Sequence, residues 1–87
     1  MSWHFERDPL ALDLISSLPH EAQFAFFNLL PRLEADPDAD TQPYGLDVEG
    51  PVRMRQTTLP GAITVLLISD EAGRINLVAV IGPDVEA

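Results

Sequence analysis

Three apolar, β-branched runs fill the second half of this chain, and short turn-forming connections separate them. Val52 to Thr57 is one candidate strand, Ala62 to Ser69 a second and Arg74 to Ile81 a third. Leu59-Pro60-Gly61 links the first pair and Asp70-Glu71-Ala72-Gly73 the second, so consecutive strands reverse direction and form an antiparallel meander. The run Ile63-Thr64-Val65-Leu66-Leu67-Ile68 is almost wholly apolar, which places that strand in the centre of the sheet with both faces covered. Something else in the chain must therefore lie across a face of this meander.

The first half supplies it. Trp3 and Phe5 alternate with His4 and Glu6, the period-2 pattern of a short strand from about Ser2 to Arg7. Asp8-Pro9 reads as an N-cap followed by proline at the first helical position, and Leu10, Ala11, Leu14, Ile15 and Leu18 keep a helical spacing up to Leu18-Pro19. A second helix follows, in which Ala22, Ala25, Phe26, Leu29 and Leu33 form the stripe expected to face the sheet. Pro31 interrupts that pattern and removes a hydrogen bond to the Phe27 carbonyl, so a kink or break is expected near Phe27. Phe24 and Phe27 widen the apolar face beyond what a two-layer domain needs. Either the core wraps this helix on two sides, or the two aromatics form a patch for a partner or a second copy. The expected fold is α+β: a short N-terminal strand and two helices packed on one face of a small antiparallel sheet.

Between the halves, from about residue 35 to 51, the chain is acidic and rich in proline. Six acids occur from Glu34 to Pro51, Glu34 included, with no base among them. Such a stretch reads as a loop, with Tyr44, Leu46 and Val48 available to pin it to the domain. Asp36, Asp38, Asp40 and Asp47 fall at the first, third, fifth and twelfth places of an EF-hand-like loop, yet the sixth place holds Thr41 where glycine is needed and the twelfth is aspartate instead of glutamate. The expectation is a solvated acidic loop without metal or other cofactor.

At 87 residues the chain reads as one domain over residues 1–87, able to bury roughly 60% of its unfolded surface. It has no cysteine, hence no disulfide framework and no thiolate metal site, and a reducing cytoplasm is the natural compartment. The first eight residues have neither a basic nor an apolar signal-peptide region, and no apolar stretch approaches the roughly 18 residues that span a membrane. The formal charge is −9, from fourteen acids against five arginines and no lysine. That balance disfavours nucleic acid and anionic membranes, whose affinity comes from cations, and favours a positively charged protein partner or simple solubility. Two of the five arginines, Arg53 and Arg55, lie one residue apart at the entry to the first β-rich run.

The order strand, helix, helix, long loop and three-stranded meander resembles the RelE/ParE toxin superfamily, and particular stretches carry the likeness. Leu12-Asp13-Leu14-Ile15-Ser16-Ser17-Leu18-Pro19 is similar to the family's helix ending in Leu-Pro, and Leu33-Glu34-Ala35-Asp36-Pro37 to its exit from the second helix. Leu46-Asp47-Val48-Glu49-Gly50 followed by Val52-Arg53-Met54-Arg55 resembles the entry to its sheet, Ile68-Ser69-Asp70 the approach to its last hairpin, and Val78-Ala79-Val80-Ile81-Gly82 its closing strand. The likeness spans nearly the whole chain through short motifs. It implies a toxin held by an antitoxin whose extended segment wraps it. Ribosome-dependent members cut messenger RNA with basic and aromatic side chains, and ParE-like members inhibit DNA gyrase.

Residue by residue, the catalytic pattern carries over only at Arg53 and Arg55, which match the first basic pair. Two apart on a strand, they point the same way and could hold one phosphate or a partner's acidic group. Past the turn, where the family has Gly-Tyr-Arg, this chain reads Gly61-Ala62-Ile63, so Ile63 stands in place of an arginine that stabilises the transition state. At the end it reads Gly82-Pro83-Asp84-Val85-Glu86 where active members carry a basic residue and then a tyrosine or histidine. Losing one electrostatic contact costs about 10²–10³ in rate, and losing proton transfer a further ~10²–10⁴. His4 and His20 are the other proton carriers, and no spacing ties either to the arginines; a cap or surface role accounts for each more simply.

Three functions follow as expectations. The first is a RelE/ParE-like toxin component acting mainly through protein binding, with Arg53 and Arg55 as phosphate or partner contacts, Phe24 and Phe27 as a partner patch, and a homodimer as one possible assembly. The second is a non-enzymatic acidic module or inhibitor presenting Asp36, Asp38, Asp40, Asp47 and Glu49 to a basic protein surface. The third is a working ribonuclease, with Arg53 and Arg55 as its catalytic residues.

Overall fold

The computed structural model describes residues 2–45 and 52–82. Its elements are β1 (His4–Phe5), α1 (Pro9–Ser16), α2 (His20–Ala35), β2 (Gln42–Pro43), β3 (Val52–Leu59), β4 (Ala62–Ser69) and β5 (Arg74–Ile81). They form an α+β fold with a five-stranded sheet of order β1-β5-β4-β3-β2, in which β4 is central as its apolar run requires.

The meander is antiparallel, but the sheet as a whole is mixed, because β1 runs parallel to β5 with His4 beside Arg74 and Phe5 beside Ile75. The alternation of Trp3 to Glu6 marks extended chain but carries no information on strand direction. Only His4 and Phe5 count as strand, less than the Ser2 to Arg7 span expected. Their neighbours still bond the sheet and the helix layer: Glu6 N–H donates to the Ile75 carbonyl at 2.9 Å and Trp3 N–H to the Glu34 carbonyl at 2.8 Å.

The local signals act as the sequence implies. Asp8 Oδ1 caps α1 by accepting from the Ala11 N–H at 2.8 Å, with Pro9 in the first turn. Pro60 and Gly61, at φ 80°, form the two-residue turn between Leu59 and Ala62, a pairing of proline and positive-φ glycine that suits a type II turn. Gly73, at φ 64°, closes the turn from β4 to β5. The helix faces differ in detail. Ala11, Ile15 and Leu18 are buried while Leu10 points to solvent, so the buried stripe of α1 is narrower than its leucines suggested. α2 runs unbroken through Pro31 and buries Ala22, Phe26, Leu29, Leu30 and Leu33, with Ala25 only partly covered. Tertiary packing of these side chains outweighs the one hydrogen bond that proline removes.

The core lies between the helices and one face of the sheet. Phe5, Phe26, Leu33, Leu66, Ile68, Ile75 and Leu77 are essentially inaccessible there, with the Phe5 and Phe26 rings edge to face at 5.5 Å. The connection after α2 is more ordered than a solvated loop. Pro37 and Thr41 are its buried anchors, the Thr41 hydroxyl donates to the Pro37 carbonyl at 2.6 Å, and Gln42–Pro43 pairs with Gln56 and Arg55 at the sheet edge, where a strand tolerates proline. Tyr44 is exposed but joins the edge through its backbone N–H, which donates to the Met54 carbonyl at 3.1 Å. Leu46 and Val48, also expected to pin this segment, lie outside the described residues.

Candidate functional site

Strand register decides where the arginines point. Residues directly opposite one another in an antiparallel pair share a face. Arg53 opposes Ile68, Arg55 opposes Leu66 and Leu59 opposes Ala62, all core positions, so the arginines project from the same face that the helices cover. Val52, Met54, Gln56 and Thr58 take the other face. Helix cover gives way at the Arg53 end of β3, and the chain between α2 and β2 comes over the guanidinium groups instead.

Both arginines are held by the protein's own acceptors. Arg53 grips Asp70 with two parallel bonds, Nε to Oδ2 and Nη2 to Oδ1, each 2.9 Å, and its Nη1 donates to Asp38 Oδ1. Arg55 donates from Nε to the Thr41 hydroxyl at 3.0 Å and from Nη2 to the Thr41 carbonyl at 2.8 Å, and its Nε lies 3.5 Å from the same Asp38 oxygen. The side chains of Arg53 and Arg55 are 24% and 15% exposed. Hydrogen bonds to Asp70 and then Asp38 push the Arg53 pKa up, and the Asp70 carboxyl is held below its ordinary value chiefly by Arg53. The Trp3 indole nitrogen is buried and meets no acceptor at hydrogen-bond distance and angle. Two guanidinium groups and two carboxylates thus form one neutral cluster.

The remaining site candidates are scattered. Ile63 opposes Thr58 and so lies on the sheet face opposite to the arginines, lining a hollow with Thr58, Gly61 and Ile81. His4 is on β1, with β5 and β4 between it and β3. His20 begins α2 and lines a shallow groove with Gln23, Phe24 and Phe27. Pro83, Asp84, Val85 and Glu86 lie outside the described residues, as do Asp47 and Glu49. Of the acids in the EF-hand-like pattern, Asp38 is committed to Arg53 and Asp40 lies 3.6 Å from Arg32. Among the described residues no three His, Asp or Glu side chains converge on a metal-sized space.

Phe24 and Phe27 are 73% and 50% exposed on the outer side of α2, while Phe26 between them is fully buried. The core therefore does not wrap this helix on two sides. Thr41 and Asp70 are members of the arginine cluster that the sequence does not single out. Thr41 and Asp70 lie 14 and 17 residues from their arginine partners, and no local pattern connects them.

No protein-family model and no curated protein matches the sequence. Solved structures do match in shape. The archaeal RelE–RelB complex from Pyrococcus horikoshii OT3 aligns with a TM-score of 0.78 at 15% identity, covering 97% of this chain and 98% of that one. The RelBE2 toxin–antitoxin complex from Mycobacterium tuberculosis gives 0.71 at 14% identity, over 94% of this chain and 99% of that one. A free E. coli RelE toxin with two arginines replaced by alanine gives 0.64 at 16% identity, over 98% and 87%. At such identities shape is what is shared, and in shape this chain has the fold of the RelE toxins.

Proposed function

We propose that this chain is a RelE-like component of a toxin–antitoxin type system, a single domain that works in the cytoplasm by binding protein and has lost the capacity to cut RNA. The observation that carries this reading is the neutralised arginine pair. Arg53 and Arg55 already donate to Asp38, Asp70 and Thr41, so a phosphodiester would have to displace a carboxylate from within the same chain. Arg32 and Arg74 also have carboxylates within 4.0 Å, Asp40 and Glu6. The reading is further supported by the partners named for two fold neighbours, both complexes with RelB-type antitoxins. Phe24 and Phe27 are the exposed anchors such a partner, or a second copy, would cover. The acidic-module alternative draws less support, since Asp38 and Asp40 turn toward arginines of their own chain.

The test is ribosome-dependent messenger RNA cleavage by the purified protein, alongside the Arg53→Ala/Arg55→Ala double variant. Neither protein is expected to cleave. Cleavage by the wild type that disappears in the double variant would overturn the reading and restore the arginines as catalytic residues.

A further inference from the structure

A single carboxylate oxygen, Asp38 Oδ1, lies where both arginines can reach it: it accepts from Arg53 Nη1 and sits 3.5 Å from Arg55 Nε. Each guanidinium also has an anchor independent of Asp38. Arg53 is locked by the two-bond grip on Asp70, and Arg55 by the hydroxyl and carbonyl of Thr41. Removing the Asp38 side chain would leave both guanidinium groups in place, with Arg53 Nη1 freed to donate, the Arg55 charge beside the vacated position, and one net positive charge once Asp70 is counted. That is the arrangement of an oxyanion site whose donors are fixed before the ligand arrives.

We propose that Arg53 and Arg55 form a site for one phosphate group, which the chain keeps filled with its own Asp38 carboxylate. Asp38 acts as a tethered competitor. It lies in the short connection between α2 and β2 with its side chain 47% exposed, so the position it occupies opens directly to solvent. Because the carboxylate is covalently attached, it is present at high effective concentration, and a free anion competes poorly while it remains. The ligand is a single phosphate group and not a long polyanion. The net charge of −9 repels an extended nucleic acid, and Arg32 is engaged with Asp40. The inference rests on the reading that the pair does not act on RNA in the native chain, and it names the group that prevents it.

The test is a titration with inorganic phosphate at neutral pH, followed by NMR at the arginine Nε–H resonances. Wild type, Asp38→Asn, Asp38→Ala and a control, Asp40→Asn, are compared, with a melting curve for each. Asp38→Asn keeps the shape of the side chain and guards against the alanine variant failing to fold. Both Asp38 variants are expected to bind phosphate about tenfold more tightly than wild type, with shifts at Arg53 and Arg55, as loss of an adjacent unit charge implies. Asp40→Asn should titrate like wild type. Folded Asp38 variants that bind no better than wild type would overturn the proposal, and so would an Asp40→Asn variant that gains as much, since the effect would then be net charge alone. A short single-stranded oligoribonucleotide in a parallel titration separates the source of the phosphate: tighter binding than inorganic phosphate indicates a phosphodiester, and no gain indicates the free ion. No ribosome enters these titrations, so cleavage by the wild type would sink the proposed function without deciding the role of Asp38.

Discussion

The arginine pair on β3 and the aromatic pair on α2 have exchanged the roles their chemistry suggests. Charged side chains ordinarily face water, yet Arg53 and Arg55 are mostly covered and donate to acceptors within the chain. Phenylalanines ordinarily seek the core, yet Phe24 and Phe27 stand in solvent with nothing among the described residues packed over them to the degree that Phe26 is covered. The polar groups are satisfied within the protein and the apolar ones are not. A surface that is already satisfied has little to gain from a partner, whereas an unsatisfied apolar one has much. The contrast directs attention to α2 for binding and to β3 for stability.

Its sharpest test is within α2. Phe26→Ala should destabilise the protein by about 3–5 kcal/mol, because it empties a site packed edge to face against Phe5. Urea denaturation measures the loss, and a cost near that of a surface substitution would mean that the buried stripe is misassigned.

Arg53→Ala comes next, at about 1–2 kcal/mol by the same measurement, discounted from the value for a buried charged network because Asp38 and Asp70 are partly exposed. The pH dependence has a definite sign. Arg53 lowers the Asp70 pKa in the folded state, so this pairing stabilises fully above the unfolded carboxylate value of about 4 and is lost as pH falls through the lower folded value. The stability gap between wild type and Arg53→Ala should therefore narrow in acid. A gap that stays constant down to pH ~2 would show that the charge pair is not its source.

The smallest expected change in stability, within about 0.5 kcal/mol, belongs to Phe24→Ser and Phe27→Ser. Their effect should appear in association instead, as a loss of self-association or of binding to a protein partner in sedimentation velocity. A stability loss as large as that of Phe26→Ala would erase the distinction between the two faces of the helix.

Much of the fold is legible in the sequence because its signals are local. Asp8-Pro9, Pro60-Gly61 and the apolar run of β4 each act through neighbours a few residues away. The site is not legible in the same way. Alternation shows that Arg53 and Arg55 share a face, but which face depends on register with β4, set by the two-residue turn, and a shift of one residue would turn both side chains over. The arginines' partners are equally hidden, because Asp38 and Asp70 approach from opposite directions along the chain and meet only in three dimensions. Gln42–Pro43 escapes notice because proline argues against a strand except at an edge, and the parallel course of β1 because its partner is the last strand of the sheet.

That last pairing governs the order in which the protein can be completed during synthesis. Phe5 leaves the ribosome about 70 residues ahead of Ile75, the residue it pairs with in the sheet. Until β5 emerges, a nascent chain must carry an aromatic core residue without its sheet partner, and the edge that β1 occupies does not exist. Closure of the domain is therefore a late event with a long chain loop to fix, which slows folding relative to a purely local topology. A chain cut short before Arg74 would lose its first strand along with its last, and for that interval the unfinished protein is a substrate for chaperones or proteases.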